Sequence, residues 1–173
     1  MSAMNLEYFI SSLPMLVYGQ RVPLSEQDFR AACETGLDGA LAASVRQLLG
    51  GMAPGEAPAS PWVAAWNAKE GQVRLAVARR RAARLGVPPP EVPAVVADTR
   101  IEPAVNAAFE EINPLRREQA LDRLRWQLVD EMQGVQPISE NVVLAYTVKL
   151  RLALRLQSLD ETAGRAKFDE LTH

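Results

Sequence analysis

The stretch VVLAYTVKLRLALRLQSL, residues 142–159, decides the fold class of this chain. From Val148 to Leu156, apolar residues alternate with charged or small ones, which is the period of a β-strand. The stretch is nevertheless too long for a typical strand, and leucine, alanine and arginine favour helices. Wound as a helix, it keeps a wide apolar face. We therefore predict a helix whose polar stripe comprises Thr147, Arg151, Arg155 and Ser158.

Capping residues and apolar spacing predict further helices on both sides of this stretch. Ser60-Pro61 and Asn113-Pro114 each place a helix cap before a proline at the first helical position. We predict helices over residues 26–34, from Asp38 to Leu49, over residues 61–85, 103–112 and 114–132, and a separate last helix over 160–171. The predicted fold is all-α, an irregular bundle of about six to eight helices.

Two proline-rich stretches divide the chain. Residues 52–61 have a loop composition, and residues 87–93, VPPPEVP, cannot be helical. We predict an N-terminal helical part over residues 1–86, a proline-rich linker over 87–102 and a C-terminal helical part over 103–173. A length of 173 residues equally fits one compact domain.

Composition excludes several function classes. The chain has 19 basic and 21 acidic residues, and this near balance argues against a nucleic-acid binder. The single cysteine, Cys33, and the single histidine, His173, cannot build a Cys/His metal site, and no cofactor motif is present. Without a secretory signal or a long apolar run, we expect a cytoplasmic protein that reaches membranes only through partners.

Two groups on the helix over residues 61–85 are candidate partner contacts. Arg79, Arg80, Arg81 and Arg84 lie near its C-terminal end, where cations complement the helix dipole. They form either a solvated helix end or a surface for an acidic partner. Trp62 and Trp66 are four residues apart and share one helix face, which suits packing in the core or at an interface.

Lys149 is the anomaly of the apolar face, because burying an unpaired ammonium is costly. Asp130 and Glu131 at the end of the preceding helix are its expected partners, in a structural ion pair. We predict no catalytic, cofactor-binding or metal-binding residue. A metal site made of carboxylates alone stays open as an alternative, because residue counts do not exclude it.

Several blocks of the sequence resemble a bacterial family of uncharacterised proteins encoded among V-type ATPase genes. The blocks are YFISSLP (8–14), PLSEQDF (23–29), WQLVDE (126–131), VLAYTVKL (143–150) and Leu159-Asp160. The arginine-rich VARRRAARLG (77–86) is also similar to a helix of the larger C subunit of V/A-type rotary ATPases. This chain is shorter than the C subunit, which has three helical lobes.

The resemblance implies an all-helical, non-catalytic accessory subunit of an ion-transporting V-type ATPase, with a fold like that of the C subunit. Such a protein would bind the central stalk and the membrane ring and join one to the other. The resemblance carries no catalytic residue to this chain. Two alternatives remain: a free-standing helical adaptor or regulator of other proteins, and a metal-dependent enzyme that uses carboxylates.

Overall fold

A computed structural model describes residues 5–90 and 97–172, with side chains described as far as Leu159. Within these ranges the chain forms seven helices and no strand, which confirms the predicted all-α bundle. The helices are α1 (Leu6–Ser12), α2 (Glu26–Gly36), α3 (Gly39–Gly50), α4 (Pro61–Leu85), α5 (Ile101–Phe109), α6 (Pro114–Gln133) and α7 (Glu140–Thr172).

Helix α7 is the centre of the bundle. It packs along α6 and α3 and also contacts α1 and α4, so its wide apolar face is covered from several directions. Val143, Leu144 and Leu150 on this face are fully buried. The stretch with strand-like alternation is therefore a helix, as predicted.

Two details of α7 differ from the prediction. The separate helix over residues 160–171 was wrong, because α7 continues without interruption to Thr172. No glycine or proline occurs between Glu140 and Ala163, so nothing breaks the helix at Asp160. Thr147 is buried rather than part of an exposed polar stripe, and its hydroxyl donates to the carbonyl of Val143 at 2.8 Å, which offsets the cost of burial.

Most of the other helices begin at the predicted caps, but α1, which is capped by Asn5, was not predicted, and α5 begins before its predicted start. Ser60 Oγ accepts from the amide of Val63 at 3.3 Å, and α4 ends where Gly86 takes the left-handed conformation at φ 66°. Helix α5 spans Ile101–Phe109 rather than residues 103–112. Pro103 lies in the first turn of α5. Backbone amides in a first turn have no intrahelical hydrogen-bond acceptor, so the proline removes no hydrogen bond there.

Side-chain hydrogen bonds fasten the N-terminal segment to the bundle. The Tyr18 hydroxyl donates to the carbonyl of Gln119 on α6 at 2.6 Å, and the Tyr146 hydroxyl of α7 donates to the carbonyl of Pro14 at 2.9 Å. Burial raises the pKa of Tyr146 to about 12, so this hydroxyl keeps its proton and remains a donor. The two bonds hold the residues after α1 across α6 and α7.

The predicted N-terminal and C-terminal parts share one hydrophobic core. That core includes Val63 and Val73 of α4 together with Val105 of α5 and Val129 of α6. Part of the predicted linker over residues 87–102 lies outside the described residues, and its last two residues, Ile101 and Glu102, belong to α5. Asp98 attaches the described end to α4, since its amide donates to Gln72 at 2.9 Å and its carboxylate pairs with Lys69 at 3.0 Å.

Candidate partner-binding surface

The four arginines near the end of α4 are divided between two sides of the helix: Arg79 lies on one side, and Arg84, at steps of three and four, lies between Arg80 and Arg81 on the other. At about 100° per residue, neighbouring positions on a helix point in different directions. Arg80 pairs with Glu110 at 3.0 Å, and Arg81 lies 4.0 Å from Glu118. Arg79 and Arg84 are exposed and make no ion pair with any side chain that the structure describes.

Arg81 instead contributes to a groove between α4, α6 and α7. The groove has a volume of about 500 Å³. It is lined by four arginines, Arg74, Arg81, Arg125 and Arg155; one acid, Glu118; and the apolar Val77, Ala78, Ala82, Leu85, Val87 and Leu121. Arg74, Arg125 and Arg155 were not among the predicted contacts, because residues from three helices meet only in the folded chain.

Behind this groove lies a buried carboxylate that the sequence analysis missed. Asp122 of α6 is 0% exposed, and its Oδ1 accepts from Arg155 at 2.6 Å and from Arg125 at 3.2 Å. Its Oδ2 is buried and has no hydrogen-bond partner among the residues that the structure describes. Desolvation raises the pKa of Asp122, although both arginines act to lower it.

Asp122 lies on a second buried row of α6, beside the row that holds Leu121 and Leu128. This row exists because Asp122 and Val129 are seven residues apart and both face the interior. The signal in the sequence was Arg125 at position i+3, which places a cation beside the acid on the same side of the helix.

Arg125 also joins α6 to α4. Its Nε and Nη2 donate to the two carboxylate oxygens of Glu70 at 2.8 and 3.1 Å, and both side chains are largely buried. Arg155 of α7 donates to Glu118 at 2.6 Å as well as to Asp122. This ion-pair network, formed by Glu70, Glu118, Asp122, Arg125 and Arg155, connects α4, α6 and α7 beneath the groove.

Lys149 is surrounded by three partners from α6. Its Nζ lies 2.5 Å from Asp130 Oδ1, donates to Gln133 at 2.9 Å and sits 5.6 Å from the centre of the Trp126 ring. Glu131, its other expected partner, forms two hydrogen bonds with Arg100 at 2.7 and 2.8 Å. Adjacent residues diverge on a helix, so Asp130 and Glu131 reach different cations.

The two tryptophans of α4 do not form an exposed surface. Trp66 belongs to the core, and Trp62 is half-buried, with its Nε1 donating to the carbonyl of Met132 at 3.2 Å. Of the two placements predicted for this pair, core packing is the one that Trp66 takes, so Trp66 is not exposed to a partner. The face of α4 that carries both tryptophans packs against α6 and the core.

Other chemistry-bearing groups are few in the part of the chain with described side chains. There, no three or more His, Cys, Asp or Glu residues are close enough together to hold a metal ion. Cys33 is buried, and desolvation raises the pKa of its thiol to about 12. None of the described helices combines the length and the apolar character that crossing a bilayer requires.

Comparisons with known proteins give one family-level similarity. Residues 102–173, which include nearly all of α5 and the whole of α6 and α7, match a family model described as a protein of unknown function (DUF2764). No curated protein and no solved structure matches the chain. The part of the chain that holds Asp122, Arg125, Lys149 and Arg155 is thus similar to a family whose function is itself not described.

Proposed function

We propose that the chain is a non-catalytic accessory subunit of a V-type rotary ATPase, an adaptor between the central stalk and the membrane ring that resembles the C subunit. The observation that carries the proposal is the resemblance of residues 126–131 and 143–150 to the family encoded among V-type ATPase genes. These two blocks lie on α6 and α7, which pack along each other. ATP hydrolysis and ion transport then belong to other subunits, and this chain works at the cytoplasmic side through protein contacts.

The ion-pair network is suited to a protein that transmits force. It ties α4, α6 and α7 together through bidentate and charge-assisted hydrogen bonds, the strongest class of such bonds in proteins. Arg100 adds a second link by joining Asp98, next to α5, to Glu131 on α6. Helices held at several points move as one body when a partner pulls on any of them.

The groove supports a second candidate function, a free-standing helical adaptor unrelated to the ATPase. Its exposed arginines and apolar side chains would serve a protein partner of any assembly. The two candidates differ in the partners that they require, so one purification distinguishes them.

The test is affinity purification of the tagged chain from its native cells, with mass spectrometry of the proteins that accompany it. We expect the catalytic and stalk subunits of a V-type ATPase, enriched over a purification with an unrelated tagged protein. Recovery of none of them, from an extract shown by activity to contain the assembled ATPase, contradicts the proposal. Reproducible recovery of other proteins in that case favours the free-standing adaptor.

A further inference from the structure

We infer that the groove between α4, α6 and α7 binds an acidic amphipathic helix of a partner protein. The partner's apolar side chains would lie against Val77, Leu85 and Val87, and its carboxylates would pair with the arginines at the rim. This inference goes beyond the proposed function, because it concerns the chemistry of the groove and holds for a component of the ATPase or for any other partner.

The apolar part of the groove is unusually open to solvent. Leu85 is 76% exposed and Val87 is 50% exposed, although both lie beside the buried Leu121 and Ala82. Burying such side chains against a partner releases water from apolar surface, which is the main driving force of protein association. The exposure of Leu85 leaves it available for this contact.

The exposed arginines at the rim of the groove favour a partner with negative charge. Arg74 and Arg81 are 76% and 64% exposed, and Arg81 is held only loosely, at 4.0 Å from Glu118. The four arginines of the lining pair with three acids, Glu70, Glu118 and Asp122, which leaves one positive charge at the groove, whereas the whole chain carries a net charge of −2. The positive character is therefore local, and it complements carboxylates at an interface.

The surface of α4 in the groove suits packing against a helix of the partner. Val77, Arg81 and Leu85 follow one another at steps of four residues and form a ridge along the groove, and Arg74, Ala78 and Ala82 form the ridge beside it. Ridges at this spacing accept the side chains of another helix between them. A volume of about 500 Å³ seats the side chains of a helical turn rather than enclosing a whole ligand.

The direct test measures binding of the full chain to a fluorescent helical peptide. The probe has about 18 residues, with leucines at steps of three and four and glutamates at the flanking positions. The matched control peptide carries lysine in place of every glutamate. We expect the glutamate peptide to bind and the lysine peptide not to bind. Affinity for the glutamate peptide should fall as NaCl rises from about 50 to about 500 mM, because salt screens exposed charges.

Variants locate the binding. Arg81→Gln should weaken binding about threefold to fivefold, and Leu85→Ser about tenfold. Arg79→Gln, on the opposite side of α4 from Arg81, and Val135→Ser, an exposed apolar residue in the loop after α6, are the matched controls and should bind like the wild type. All four positions are exposed, so circular dichroism should show unchanged helicity.

Three results would overturn the inference: no binding of the glutamate peptide, equal binding of the lysine peptide, or equal loss in the Arg79→Gln control. Sedimentation of the chain without peptide tests whether a second copy of the chain occupies the groove. A dimer that disappears in Arg81→Gln would mean that a second copy of this chain covers the groove, and would contradict the acidic partner. Recovery of ATPase proteins from cells does not depend on how the peptide behaves, so the two proposals fail separately.

Discussion

At the scale of single residues, two buried or half-buried charges differ in how much they contribute to stability. Asp122 is fully buried between two arginines, whereas the Asp130 partner of Lys149 remains about half exposed. A charge that loses its partner inside a protein stays desolvated, but one at the surface regains water. The two sites therefore predict different outcomes for substitutions that remove one charge.

Asp122→Asn should lower the free energy of unfolding by about 1 to 2 kcal/mol, because Arg125 and Arg155 lose a charged hydrogen-bond acceptor but keep Glu70 and Glu118 as partners. Urea unfolding followed by circular dichroism measures this. Asp130→Asn is the matched control, and we expect a loss of about 1 kcal/mol or less from this more exposed pair. A loss at Asp122 no larger than that of the control would show that the buried pairs do not stabilise the bundle.

Lys149→Met should change the free energy of unfolding by no more than about 1 kcal/mol. Methionine keeps the apolar stem against Trp126, and the abandoned Asp130 carboxylate can be hydrated. Urea unfolding and the ATPase co-purification are both measured on this variant. A folded variant that no longer recovers its partners would give Lys149 a functional role and contradict its assignment as a structural ion pair.

At the scale of helices, local signals were sufficient to predict most boundaries, and contacts between helices were not predictable. Ser60-Pro61 and Asn113-Pro114 begin α4 and α6 because a cap and its helix lie within a few residues of each other. The groove and the position of Asp122 depend on α4, α6 and α7 meeting, and no spacing within one helix encodes that meeting. Likewise, α7 continues through Asp160. A capping residue marks the start of a helix only where the residues before it are not helical.

Helix α4 offers a stability prediction at Gly71, which lies in its middle. A Cβ built at this position meets no atom within 4 Å, and the residue is exposed. Gly71→Ala should raise the free energy of unfolding by about 0.5 to 1 kcal/mol, because glycine loses more backbone entropy in a helix than alanine does. Gly86→Ala is the contrasting variant, since its φ of 66° strains any residue with a Cβ, and it should lower stability. Thermal unfolding of both variants checks the opposite signs.

At the scale of the whole molecule, the ion pairs around Arg100 should make the fold sensitive to acid. Hydrogen bonds from Arg100 and Lys69 hold the pKa of Asp98 far below its ordinary value of 3.8, and Arg100 lowers the pKa of Glu131 below 4.5. A carboxyl group with a lowered pKa in the folded state contributes stability above its ordinary pKa and loses it as the pH falls. Asp122 acts in the opposite direction, because its pKa is raised by burial.

Asp98→Asn should therefore destabilise the chain near neutral pH by an amount that shrinks as the pH falls from about 5 to about 2, because Asp98 of the unfolded wild type takes up a proton in this range, whereas folded Asp98, with its much lower pKa, does not. Urea unfolding of both proteins across this range measures the difference in free energy. Glu111→Gln, an exposed change in the loop between α5 and α6, is the control, and its difference should stay near zero throughout. A difference between wild type and Asp98→Asn that does not change with pH would show that Asp98 joins α4 to α5 by its shape and hydrogen bonds rather than by its charge.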